Sequence, residues 1–305
     1  MVIREGSDGL NRWITGLASV VASLGVLAAG TGILTGWGHV SRTFVTLRGE
    51  TVSIQGGGLY GHESVSIAAQ AIGQDFVTLL IAVPLLLTGV RMASRGSTRG
   101  LLLRSGVLAY FSYTYLLMAF GGTYNELFLV YVALFSASSF GFILSIMSID
   151  PIRLKEQFIP RFARRPVGWS LVGFGALLAL LWLGRIVPSL LTGKTPPGLE
   201  SDTTLFVQAG DLGIIVPTAI LVGVLLVRGR AFGYLLASVM LINASTFGLA
   251  LLAMAASMTA AGVAVAPVEM VFFSVLTVIF VAATTHTLRS VRAHPGVTPA
   301  IGLAA

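Results

Sequence analysis

Eight stretches of mostly apolar residues follow one another along this 305-residue chain, and they restrict its fold more than any other feature. They lie near Trp13–Leu34, Ala68–Val90, Leu101–Phe120, Glu126–Ile149, Val167–Leu191, Leu205–Val227, Ala231–Met258 and Val268–Leu288. Each reaches the roughly 20 residues that a helix needs to cross a hydrocarbon core about 30 Å thick. Inside lipid every backbone amide must be satisfied within its own segment, so such stretches are helices. Charge is too scarce for a water-facing surface. Only 10% of the residues are charged, where a soluble domain carries about 25%; 55% are apolar and the mean hydropathy is +0.90. The expected fold is therefore an all-α integral membrane protein with eight transmembrane helices. The first stretch exceeds the apolar core of a signal peptide, about 7–15 residues, and is counted as a spanning helix.

The net charge of +7 and the pI near 10.2 could suggest nucleic acid as a partner, but the placement of the basic residues reads as topology. With the N-terminus inside, 15 of the 19 Lys and Arg residues fall on the inner side, from Arg4 and Arg12 to Arg289 and Arg292. Arg42, Arg48 and Lys194 fall outside and Arg185 lies within the fifth span. The positive-inside rule then puts both termini in the cytoplasm of a cell-membrane protein, with the lipid bilayer as its partner and no nucleic acid. Only four acids, Glu5, Asp8, Asp150 and Glu156, share the inner side. The basic pI thus conceals an acidic outer half.

Two loops have character. In the outer loop 36–66, Thr43–Leu47 and Thr51–Gln55 alternate apolar and polar residues around Arg48-Gly49-Glu50, the pattern of a short β-hairpin. Gly56-Gly57-Gly58 is expected to hinge it, and the loop reads as a structured cap over the helix ends, with a moving lid as the alternative. The inner loop Asp150–Pro166 mixes Leu154, Phe158 and Phe162 with basic residues and is expected to lie along the inner leaflet. It divides the chain into two four-helix halves, residues 1–150 and 151–305. An internal repeat is suggested by the second and sixth spans. Asp75 is followed by Pro84 and Arg91, Asp211 by Pro217 and Arg228, with the arginine 16 or 17 residues after the acid. Two halves of four helices each would share one orientation.

Ionisable groups inside a membrane are the first candidates for function. At about 1.5 Å per residue, Asp75 and Asp211 sit just inside the outer edge of the hydrocarbon, level with Gln74, Gln208, Arg185 and Asn125, while Glu269 reaches the edge itself and Glu126 lies slightly beyond it. A lipid-facing aspartate costs about 2.5–3.5 kcal/mol even on insertion scales, so Asp75 and Asp211 are expected to face the interior, where Arg185 could neutralise one of them. Glu126 and Glu269 also fit a plainer role as first-turn acids that complement the helix dipole. The ligand-binding candidates are these eight residues.

The inventory excludes several chemistries. There is no cysteine, hence no disulfide scaffold and no iron–sulfur cluster. One histidine within a span, His286, does not provide bis-histidine haem ligation, and no lysine in a span could carry retinal. GxxxxGK[ST], HExxH and GxSxG are all absent. Three classes fit what remains. The first is a transporter or cation-coupled carrier whose outward-facing acidic site takes a cation or small cationic ligand, with alternating access at helices kinked by Pro84 and Pro217. The second is an accessory or scaffold subunit with a membrane-protein partner. The third is an intramembrane enzyme using paired carboxylates on a lipid, with His39 or His62 as further metal ligands.

Overall fold

A computed structural model describes residues 8–292, and eight helices in it are long and apolar enough to cross a membrane. The first is α1 (Asp8–Thr35). The second crossing is broken into α2 (Val65–Val77), a π-helical turn (Thr78–Ala82) and α3 (Val83–Ser94). Then come α4 (Thr98–Phe120), α5 (Phe128–Met147), a short α6 (Pro151–Glu156) and α7 (Arg164–Thr192). The sixth crossing is broken likewise into α8 (Phe206–Gly210), a π turn (Asp211–Ile215) and α9 (Val216–Val227). The chain closes on α10 (Ala231–Ala260) and α11 (Pro267–Ser290). The chain ends, with Arg4 and Glu5 of the charge balance, lie outside the described residues.

The two π turns have a local cause. Proline has no amide hydrogen and its ring crowds the carbonyl four residues back. Pro84 and Pro217 each stand second in the segment after the turn, so the carbonyls of Leu80 and Gly213 lose their usual donors. The ladder widens instead. The amide of Val83 bonds the carbonyl of Thr78, and that of Val216 the carbonyl of Asp211, each five residues back. Aligned on these turns, Asp211 corresponds to Thr78 and not to Asp75, so the two acids that suggested the repeat are not in equivalent positions.

α4 and α10 are the most enclosed of the eight helices, α7 and α11 the least. This explains why α4 has the lowest hydropathy of the eight: its polar side chains meet protein. Arg104, counted among the inner basic residues, is buried there and donates to Ser145 Oγ at 3.2 Å. α10 packs on α2 and α4 across the midpoint of the chain.

The hairpin forms as β1 (Arg42–Val45) and β2 (Thr51–Ile54), antiparallel, with Arg42 opposite Ile54. The glycines after it are not a loose hinge. Gly58 has φ +70°, and a Cβ there would sit 2.0 Å from the Thr35 carbonyl oxygen. Gly56 N donates to Gly61 O at 2.9 Å. The run seats the hairpin on the end of α1. At the opposite end, the loop expected to lie along a leaflet turns inward. Leu154 is fully buried, and Phe158 and Phe162 pack on Tyr234 of α10. His286 stacks on Phe162 and accepts the Ala163 amide at 3.3 Å, a structural role.

Candidate functional site

A cavity of about 460 Å³ opens among the helices, within the 300–1,000 Å³ range of small-molecule sites. α2 and α4 form one wall, α7, α8 with its π turn, α10 and α11 form another, and Tyr131 of α5 and the loops at the hairpin end complete it. Along α10 it runs from Met258, near the hairpin end, to Met240, about 27 Å of helix at 1.5 Å per residue. Its walls are largely apolar. Polar groups gather toward the hairpin end and the π turn.

Asp211 is the carboxylate set into the wall. As the first residue of the π turn it is half-buried. Its Oδ1 accepts a short hydrogen bond from the Tyr113 hydroxyl, and its Oδ2 accepts from Trp182 Nε1 at 2.8 Å. Gly210 makes this possible, since a Cβ there would lie 2.9 Å from the Tyr113 oxygen. No ion pair reaches Asp211 among the described residues. Two neutral donors on aromatic rings hold it, and the Tyr113 ring meets Phe247 edge-on at 5.6 Å. Gln74 and Gln208 line the same cavity; Gln74 donates to Thr114 Oγ1 at 2.7 Å.

Asp75 is placed elsewhere. Neighbouring residues on a helix point about 100° apart, and with Gln74 toward the cavity Asp75 turns to α1. It is 4% exposed, accepts from the Tyr60 hydroxyl at 2.7 Å, and lies against Gly32. It does not line the cavity. Burial, and then the Asp75 carboxyl, hold the Tyr60 hydroxyl well above its ordinary pKa, so it remains a donor. Asp75 and Asp211 therefore have separate partners.

Arg185 neutralises neither aspartate. It pairs with Glu269 at 2.5 Å, an ion pair on the cavity wall between α7 and α11, and its guanidinium lies 5.4 Å from the Trp182 ring centroid. Asn125 lines the cavity and accepts the Leu127 amide at 3.0 Å. Glu126 is exposed, precedes α5 rather than opening it, and is not on the wall.

Sequence reasoning missed a group at the mouth. Glu63 is 5% exposed and lines the cavity. Its Oε1 accepts the Thr123 amide at 2.6 Å, while Oε2 is buried with no hydrogen-bond partner. Burial pushes its carboxyl up. Asp202, in the loop between α7 and α8, is pushed up to about 7 by burial and by the nearby Glu63 and Glu200, with Arg48 opposing. Deeper in, Asn243 Oδ1 is likewise buried on the wall with no partner. Trp182 and Tyr113 were also missed as ligands of Asp211. In the sequence Tyr113 stands among Tyr110, Phe111 and Tyr115, and nothing there joins α4 to α8. Among the described residues no group of three or more His, Asp or Glu side chains is placed to hold a metal ion, so His39 and His62 complete no metal centre.

Eight apolar helices, with an acid-bearing cavity among them, make this a polytopic membrane protein with an internal cavity. Comparison with known proteins adds no kinship: no family model, no curated protein and no solved structure matches the chain.

Proposed function

We propose that the protein is a membrane carrier that binds a cationic ligand in this cavity, with Asp211 as the principal counter-charge. The observation that carries the reading is an Asp211 carboxylate on the wall of a ligand-sized cavity, fixed by Tyr113 and Trp182 and paired with no cation among the described residues. The wall carries Glu63, Glu200, Asp202 and Glu269 besides, against Arg185 alone. The unpartnered Glu63 Oε2 and Asn243 Oδ1 are both acceptors, which favours a donor or a cation. Aromatic faces around Asp211 add the ring attraction that cations find in such sites. The distribution of arginines supports an outward-facing hairpin end, and the π turns before Pro84 and Pro217 supply the broken helices on which carrier sites are built.

The other classes fit less well. A scaffold subunit needs no ligand-sized cavity. An enzyme of paired carboxylates needs both acids on one site, whereas Asp75 lies off the wall. The test is uptake of radiolabelled tetraethylammonium by proteoliposomes. Asp211→Asn is expected to abolish uptake, and Asp75→Asn, in whatever fraction folds, to retain it. Uptake unchanged by Asp211→Asn, or none by the unmodified protein, overturns the reading.

A further inference from the structure

α7 and α11 run antiparallel as neighbours, yet they are joined by side chains and not by close backbone packing. α7 lies against α9, and α11 against α10. Two bridges cross the seam. Near the hairpin end Arg185 meets Glu269 at 2.5 Å; lower down the rings of Phe174 and Phe280 meet edge-on at 4.9 Å. The bridges lie 11 residues apart on both helices, about 16 Å. Between them Leu178 and Leu181 on one side, and Phe273 and Leu276 on the other, line the cavity while only half-buried. The seam is thus a thin, apolar side wall with an ion pair at its top.

The hairpin end is bridged by a loop. The loop after α7, whose Glu200 and Asp202 line the mouth, is tied to the hairpin by Arg48 Nη2 donating to the Glu200 carbonyl at 3.0 Å. Charge also grades along the cavity, from carboxylates and Asp211 above to Phe174, Met240 and Phe280 below. A wall of that polarity matches a molecule with a charged head and an apolar body. Such a molecule resides in the bilayer, on the far side of the seam, at the depth of its own head group.

We infer that the cavity takes a single-chain cationic amphiphile directly from the membrane, sideways between α7 and α11, with the Arg185–Glu269 pair as the latch. The inference rests on the proposed cationic site and names its ligand class and route. On passage the cationic head replaces Arg185 as the partner of Glu269 and moves on to Asp211, while the chain settles along the lower aromatic wall. The head keeps a carboxylate partner as it crosses the apolar seam, where a bare charge would be costly, and the displaced Arg185 guanidinium has the Trp182 ring, 5.4 Å from it, to rest on.

The chain has no native cysteine, so the latch can be locked cleanly. Arg185→Cys/Glu269→Cys, bridged by a short bis-methanethiosulfonate linker, spans the gap the two long side chains span now; reductant reopens it. Binding of dodecyltrimethylammonium and of tetramethylammonium is followed by stopped-flow tryptophan fluorescence on the same double variant in nanodiscs, linked and reduced. Linking is expected to slow dodecyltrimethylammonium by about tenfold or more, as when a closing element must move first, and to leave tetramethylammonium unchanged. Equal rates for dodecyltrimethylammonium in both forms, or equal slowing of both ions, overturn the lateral route and leave the cationic site standing. If the unmodified protein binds neither ion, the site is overturned and the inference with it.

Discussion

Gly32 tests most sharply how Asp75 and Asp211 divide. A Cβ at Gly32 would lie 1.9 Å from Asp75 Oδ2 and 2.8 Å from the Tyr60 oxygen. Neither neighbour can retreat into solvent, at 4% and 3% exposure. Gly32→Ala therefore displaces the carboxyl and breaks a buried hydrogen bond, costing about 1–3 kcal/mol, with about 1–3 kcal/mol more for overpacking. Alanine's better helix propensity returns at most about 1 kcal/mol. The net loss is about 1–5 kcal/mol. Gly30, two residues earlier on the same helix, has nothing within 4 Å of its added Cβ, and Gly30→Ala is expected to be neutral or to stabilise by up to about 1 kcal/mol. Unfolding of both variants in one detergent, followed by far-ultraviolet circular dichroism, gives the signs. If Gly32→Ala is as stable as Gly30→Ala, the account of Asp75 as a structural group packed on α1 is wrong.

Two further outcomes follow from the mouth and the π turn. Asp202 has its pKa raised to about 7 in the folded chain, against about 3.9 when unfolded, so the folded chain keeps a proton that the unfolded chain releases. The stability it contributes is complete below about pH 4 and is lost as pH rises through about 7. Glu63, raised too, acts in the same direction. The unfolding temperature is expected to fall from about pH 5 to about pH 8, and Asp202→Asn to flatten that fall; parallel curves for the two proteins refute it. Pro217→Ala gives the Gly213 carbonyl back its amide donor, letting the π turn close into α-helix and rotating Asp211 away from Tyr113 and Trp182. Stability is expected to hold or rise while tetraphenylphosphonium binding, read by Trp182 fluorescence, weakens about tenfold. Undiminished binding removes the π turn from the site.

The crossings were legible because length and polarity suffice to define them: the helices end within a few residues of the apolar stretches. The hairpin was legible from alternation, and the breaks in the second and sixth crossings from Pro84 and Pro217. The partners of the charged groups were not. Asp75 and Asp211 look alike in a sequence, each an acid amid apolar residues, and only the packing of α1 against α2 and of α8 against α4 separates a buried structural acid from one on a cavity wall. Arg185 was read from its place in the fifth span, but its partner depends on which helix runs beside α7. Glu63 and Asp202 lie in loops far apart in the chain, and no spacing rule connects them. Trp182 sits one turn from Arg185, a signal that could have marked that face of α7.

The central claim is that the cavity selects positive charge, and an isosteric pair of ions tests it most directly. Tetraphenylphosphonium and tetraphenylborate share size and shape and differ in sign. Their dissociation constants can be measured by equilibrium dialysis against the purified protein, with subtraction of binding to detergent alone. A unit charge about 5 Å from Asp211 at an effective dielectric near 20 gains about 3 kcal/mol, so the cation is expected to bind at least about tenfold more tightly after losses to solvent. Asp211→Asn is expected to remove most of that preference. A cavity that binds tetraphenylborate as tightly as the cation, or a preference that survives Asp211→Asn in full, would contradict the account.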